Sequence, residues 1–153
     1  IPLKEGKFLV DTNVYIQLLE ATLYNKELDP YNIPNVNFTL ISRDDKRWEE
    51  YKQQRLEEGF DDSETWSLDN TIAKFVLPRL KRYLEIANSH PGNITEAEWD
   101  TILNKMIYAF ECIIDENKEV DDTLIGVKKY EKRSNIIKEG LDLFREYFLD
   151  LWW

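Results

Sequence analysis

Two segments in the middle of the chain limit its fold more than any other feature. Trp66-Ser-Leu-Asp-Asn-Thr-Ile-Ala-Lys-Phe-Val-Leu-Pro-Arg-Leu-Lys-Arg-Tyr83 and Trp99-Asp-Thr-Ile-Leu-Asn-Lys-Met-Ile-Tyr-Ala-Phe-Glu111 carry large apolar side chains at intervals of three and four. That period gathers Leu68, Ile72, Phe75, Val76, Leu80, Tyr83, Leu84 and Ala87 on one side of a first helix. It does the same for Trp99, Ile102, Leu103, Met106, Ile107, Phe110, Ile113 and Ile114 on a second. An apolar helix side has to be buried, so each segment requires a partner element. Thr95-Glu-Ala-Glu98 opens the second helix as a capping box, in which a hydroxyl and a carboxylate each satisfy an exposed donor. Pro78 interrupts the first pattern; without an N–H and with a clash toward the carbonyl four residues back, it predicts a kink or break near Leu77.

A last helix is expected from about Lys128 to the C-terminus, with Ile136, Ile137, Leu141, Phe144, Tyr147, Phe148 and Leu151 on its apolar side. Asn88–Asn93 and the acidic Asp115–Asp122 form the connecting loops. Before these helices, Asp44 or Asp45 caps a charged helix over Lys46–Glu58, which Gly59 stops in a left-handed conformation. Trp48, Tyr51 and Leu56 give that helix only a thin apolar stripe, which places it on the surface of the bundle. Asp61-Asp-Ser-Glu64 supplies N-caps for the helix that follows. Residues 1–42 read as an extension: a short strand within Gly6–Asn13, a helix over Val14–Tyr24, and an irregular connection holding a short strand at Phe38–Ile41. The fold expected is mainly α, a single-domain helical bundle over 43–153 behind a short, strand-containing N-terminal extension.

Composition bounds function. The 153 residues include 42% hydrophobic and 13% aromatic side chains, enough for a core. A net charge of −10 repels nucleic acid at long range and favours partners with a basic surface. One cysteine, Cys112, excludes an internal disulfide or a cysteine zinc site and fits a reducing compartment. No apolar run approaches the ~20 residues of a membrane span. The start of the chain lacks the apolar core of a signal peptide. A soluble, intracellular protein is the expectation.

Reactive chemistry is sparse. Phe8-Leu-Val-Asp-Thr-Asn-Val-Tyr-Ile16 looks like the opening of a PIN-domain ribonuclease, where Asp11 would be a metal-bound carboxylate for phosphodiester hydrolysis. Such folds need a parallel sheet and further carboxylates, and no buried-strand runs follow residue 42, so Asp11 or Thr12 reads as a helix N-cap. Glu111 and Asp115 share a helix face, and Glu49, Glu50, Glu57 and Glu58 crowd an earlier helix, but the three-residue spacing of all-α nucleotide pyrophosphohydrolases is not cleanly present. Asp115–Asp122 fails the EF-hand pattern, with Val120 where the turn needs Gly and Gly126 where the loop needs Glu. His90 lies in a Ser-His-Pro-Gly loop and Cys112 among apolar neighbours, a poor setting for nucleophilic catalysis. Arg79, Lys81 and Arg82, with Lys74 a turn earlier, form a basic cluster that either meets an anion or pairs with nearby acids.

Taken in order, Trp66, Asp69, Thr71, Ala73, Pro78 and Leu80, then Trp99-Asp100, Met106-Ile-Tyr-Ala-Phe-Glu111 and Gly140-Leu-Asp-Leu-Phe-Arg-Glu-Tyr-Phe-Leu-Asp-Leu-Trp152, resemble the pattern of a small protein of undetermined function encoded by many tailed bacteriophages. The resemblance covers about residues 59–152; Asn70 stands where that pattern often has His, and the first 58 residues have no counterpart in it. It implies phage origin and an α-helical fold, not an activity. Trp66, Trp99 and Trp152 are then expected as core anchors with bonded N–H groups. Asp69 and Thr71 are expected to cap or cross-link helices.

The function expected is non-catalytic: a phage-encoded accessory protein acting by protein binding, as a host-factor inhibitor in the host cytoplasm or as a virion component. Its binding residues are Trp66, Asp69, Arg79, Lys81, Arg82 and Trp99, with no catalytic residue, metal or cofactor assigned. Its partner is a protein with a basic surface, neighbouring virion subunits, or a second copy. Two alternatives stay open: a metal-dependent nuclease or nucleotide hydrolase using Asp11 or helical carboxylates, and a protein sequestering a small anionic ligand on Arg79, Lys81 and Arg82.

Overall fold

Four helices dominate the computed structural model, which describes Pro2–Leu3, Lys7–Phe8, Ile16 and residues 32–153. They are α1 (Trp48–Glu58), α2 (Leu68–Ile86), α3 (Glu96–Ile114) and α4 (Gly126–Glu146), so the protein is mainly α. Near the N-terminus β1 (Pro2–Leu3) pairs antiparallel with β2 (Lys7–Phe8), Pro2 opposite Phe8 and Leu3 opposite Lys7. The strand expected over Gly6–Asn13 is seen only at Lys7–Phe8, and the rest of it, Asp11 included, lies outside the described residues. Of the helix expected over Val14–Tyr24 only Ile16 is described, and it is helical. Two compact units divide the chain, Ile1–Asp62 and Ser63–Trp153, so α1 belongs with the N-terminal segment.

In the first unit, α1 begins two residues later than the sequence suggested. The Asp45 carboxylate accepts the Arg47 backbone N–H at 2.9 Å and pairs with its guanidinium at 2.7 Å, holding a turn ahead of the helix. Gly59 ends α1 at φ 85°, a conformation that costs a residue with a Cβ but not glycine. Phe38–Ile41 is not a strand, contrary to expectation. Side chains take up the local polar groups instead: Asn37 donates to the Gly59 carbonyl at 2.5 Å and accepts from the Ile33 N–H at 3.0 Å. Arg55 donates to the Thr39 hydroxyl at 3.3 Å. Asp61 and Arg55 form an ion pair with both side chains fully buried, the guanidinium 5.0 Å from the Trp48 ring centre.

The second unit is built on α3. α3 packs against both α2 and α4, and α2 and α4 do not approach each other within 8 Å between Cα atoms. The core joins Ala73 and Leu80 of α2 to Trp99, Leu103, Met106, Ile107 and Phe110 of α3, with Leu143 and Phe144 of α4 and Tyr147 just beyond it against them. Edge-to-face contacts order the aromatic part: Trp99 on Tyr147 at 5.4 Å and Phe110 on Phe144 at 5.2 Å. Where α4 crosses α3, Gly140 is buried; a Cβ built there would meet the Ala109 Cβ at 2.2 Å and the Lys105 carbonyl oxygen at 2.8 Å. Only glycine permits that approach.

The capping box at Thr95 is present in full, with the Glu98 N–H donating to the Thr95 hydroxyl at 3.3 Å and the Thr95 N–H to the Glu98 carboxylate at 2.7 Å. Those bonds from Thr95 hold the Glu98 carboxyl below its usual range. The break expected at Pro78 does not occur, because one missing hydrogen bond is outweighed by the packing of Leu77, Leu80, Tyr83 and Leu84 around it. Arg79 reaches back along the same turn, donating to the Phe75 carbonyl at 2.7 Å with its guanidinium 3.6 Å from the Phe75 ring centre. α4 stops at Glu146, short of the C-terminus; a 3-10 turn, Phe148–Asp150, follows. The end of the chain is tied by its backbone, as the Tyr83 and Ser89 hydroxyls both donate to the Trp152 carbonyl at 3.1 Å.

Candidate partner-binding groove

Two helices laid on a third leave a notch between them. Here it is lined by Phe75, Val76, Arg79, Leu80 and Tyr83 of α2, Phe144 of α4 and Leu151 beyond it, enclosing about 220 Å³. Among the described residues of that lining, Arg79 is the charged one. The apolar lip extends along both helices: Leu68, Ile72 and Phe75 on α2, and Leu141 and Phe148 on the α4 side, are each between 41% and 57% exposed. Their spacings, four and three on α2 and seven from Leu141 to Phe148, give each wall a continuous stripe beside its core-facing one. α2 is therefore apolar over a broader arc than burial against α3 requires.

The residues singled out from sequence separate. Trp99 is 2% exposed and a core anchor. Burial pushes the neighbouring Tyr83 phenol above its usual range, the Trp99 indole acting in the opposite sense. Trp66 and Trp152 are not core anchors: they are 53% and 68% exposed. The reason is positional, since Trp66 precedes α2 and Trp152 follows the last turn, so neither lies on a helix face turned to α3. Asp69 accepts the Ser67 hydroxyl at 3.0 Å in the first turn of α2, where a negative charge suits the helix dipole. Thr71 donates to the Glu64 carbonyl at 2.7 Å, and Asn70 reaches the Ile113 carbonyl on α3 at 3.4 Å.

The basic cluster does not converge on one point. Lys81 pairs with Glu111 at 2.6 Å and Arg82 with Glu85 at 2.8 Å, while Arg79 lies over Phe75 in the groove. Glu111 also meets Lys118 at 2.7 Å. Burial by itself would raise the Glu111 carboxyl, but hydrogen bonds from Lys118 and Lys81 outweigh it and hold the group below its usual range. Cys112 is buried, which pushes its thiol up and leaves it a poor nucleophile. His90 is exposed, its Nδ1 3.0 Å from the Pro91 carbonyl.

Cations thread the acidic loop. Lys129 sits 3.2 Å from Glu119 and lowers its carboxyl, while Glu119 raises that of Asp122. Arg133 of α4 donates to the carbonyls of Cys112 and Asp115 and, at 3.2 Å, to that of Lys118, satisfying acceptors at the α3 C-terminus. Sequence reasoning missed this cap and the Arg55–Asp61 pair; only the three-dimensional approach of distant residues reveals either. Among the described residues no three His, Cys, Asp or Glu side chains gather to hold a metal ion, and no helix is long and apolar enough to cross a membrane. Comparison with protein families, curated proteins and solved structures finds no match to this chain.

Proposed function

We propose that this is a phage-encoded, non-catalytic accessory protein that acts by binding another protein, with the α2–α4 groove as its gripping surface. One observation supports the reading above others: two parallel stripes of large apolar side chains remain exposed along a notch that is itself almost wholly apolar. Contiguous exposed apolar surface of this kind marks interaction sites more often than it occurs idly. The acidic remainder of the chain supplies long-range attraction toward a partner with a basic surface, in the host cytoplasm or within the virion. Trp66, beside the start of α2, adds an exposed aromatic of the type enriched at interfaces.

The resemblance of residues 59–152 to a tailed-phage protein is what suggests the biological frame; within that stretch, Gly140 has a packing role. The glycine in Gly140-Leu-Asp-Leu-Phe144 is the residue that lets α4 close on Ala109. The test is affinity capture of the full chain from phage-infected cells, followed by mass spectrometry, with the Phe75→Glu variant alongside. A stoichiometric protein recovered with the wild type and reduced about tenfold or more with the variant is expected. Recovery of no stoichiometric protein, with hydrolytic activity arising on addition of Mg²⁺ or Mn²⁺, would overturn the reading.

A further inference from the structure

We propose that the cavity between the α2–α3 loop and the end of the chain is a guanidinium pocket, which receives an arginine side chain of the partner protein. This rests on the protein-binding reading and deepens it, by naming the chemistry that reads the partner's basic surface. The cavity is lined by residues 89–93 of the loop and by Asp150 and Trp152, and encloses about 310 Å³. That is the low end of the roughly 300–1,000 Å³ of small-ligand clefts, a size suited to one long side chain. Its two walls are fixed to each other. The Ser89 hydroxyl of the loop donates to the Trp152 carbonyl at 3.1 Å, and the Tyr83 hydroxyl of α2 donates to the same oxygen at 3.1 Å. Leu151, between Asp150 and Trp152, lines the α2–α4 groove, so the cavity adjoins that surface.

The state of Asp150 carries the argument. Two other half-buried acids of this unit are provided for: Glu111 meets Lys81 and Lys118, and Asp121 accepts the Thr123 N–H at 2.9 Å and its hydroxyl at 2.6 Å. Asp150 is half-buried as well. Among the described residues, however, its carboxylate accepts no hydrogen bond and meets no lysine or arginine. A carboxylate partly withdrawn from water gains most from a cation that brings its own donors. The described lining around it suits the same charge, since it holds no lysine or arginine and Asn93 offers an amide oxygen. The His90 Nδ1 donates to the Pro91 carbonyl at 3.0 Å, which leaves Nε2 of the neutral ring as an acceptor. The Trp152 indole, 68% exposed, supplies a flat aromatic face. Guanidinium fits this set better than ammonium, because it is planar, carries five donors and no acceptor, and stacks on an aromatic ring while pairing with a carboxylate. The net charge of −10 adds attraction at long range.

The experiment titrates the isotope-labelled full chain with N-acetyl-arginine amide, its lysine counterpart and the uncharged citrulline counterpart, following backbone and indole NMR signals. Saturable shifts are expected at residues 89–93, at Asp150 and at the Trp152 indole, with the arginine probe about tenfold or more tighter than citrulline. Asp150→Asn should weaken the arginine probe about tenfold and Trp152→Leu about fivefold. Glu116→Gln, which removes an exposed acid outside the cavity, should leave it unchanged. Circular dichroism confirms that each variant is folded, and should one fail to fold the other carries the same readout. Shifts that never saturate, that spread over the acidic surface or that survive Asp150→Asn would overturn the pocket. So would equal affinity for arginine and citrulline, and lysine binding as tightly as arginine would overturn the guanidinium preference. Capture from infected cells identifies the source of the group: recovery of the partner should fall about tenfold with Asp150→Asn. A pocket that binds the arginine probe while the captured partner ignores Asp150→Asn would overturn the partner's arginine as occupant and assign the pocket to a free guanidinium compound. If the probes fail while capture still yields a Phe75-dependent protein, the pocket falls and the protein-binding reading stands.

Discussion

The two units are held together by different chemistry. Ser63–Trp153 is organised by apolar burial: α3 contributes seven buried side chains, from Trp99 to Cys112, and the outer helices close on them. In the described part of the first unit, α1 buries only Tyr51 and Arg55, and its central contact is an ion pair with Asp61. The hydrophobic effect is non-directional and tolerates repacking, whereas a desolvated charge requires its counter-charge in place. One unit is therefore built to survive modest changes of shape and to present surface; the described part of the other leans on a buried polar geometry.

The largest effect should come from breaking that geometry. Asp61→Ala removes the carboxylate from a buried ion pair and leaves the Arg55 charge uncompensated by Asp61, at a cost of about 3–5 kcal/mol. Hydrogen exchange should show α1 amides losing protection while those of α3 keep theirs; equal loss in both helices would erase the distinction between the units. Next in size, Gly140→Ala drives a methyl into Ala109 and the Lys105 carbonyl and should cost about 2–3 kcal/mol. Here the exchange pattern should be the converse, with α3 and α4 deprotected. Thermal unfolding checks the magnitude, and a variant as stable as wild type would mean that the helices do not cross so closely.

A smaller effect is expected where charge supports the apolar unit. Glu111→Gln removes a carboxylate held between Lys81 and Lys118, at a cost of about 1 kcal/mol near neutral pH. Because the folded-state carboxyl lies below the usual value of 4.5, its stabilisation is fully present above that pH and is lost as pH falls through the folded pKa. Melting temperatures of wild type and variant should therefore converge on acidification from pH 5 downward, and a gap independent of pH would assign the loss to packing. The smallest effect should be at Phe75→Glu, where an exposed side chain changes stability by about 0.5 kcal/mol or less. A larger loss would show that the groove is a structural seam.

Local periodicity made α2, α3 and α4 legible, and Thr95-Glu-Ala-Glu98 announced the start of α3 because a capping box is complete within four residues. Gly59 stopped α1 for the same kind of reason, a preference of one residue's own backbone. The helix runs through Pro78 without the break allowed for there, because an intrinsic helix penalty is small beside the burial of a full helix face. Assigning Trp66 and Trp152 to the core failed because their types suggest burial, while their positions outside the helical stripes decide against it. The groove was half visible: the sequence showed Leu68, Ile72, Phe75, Leu141 and Phe148 as apolar, but not which of them α3 leaves uncovered.

Sequence alone settled what is local, namely helix identity, the cap at Thr95, the stop at Gly59 and the acidic sign of the whole field, since each follows from neighbours a few residues apart. Tertiary structure decided which apolar stripe is spent on α3 and which faces outward, where Arg79 ends up, and why residue 140 has no side chain. Those outcomes depend on contacts between residues tens of positions apart, and a helix that is apolar around much of its circumference carries no internal signal of which side will be covered.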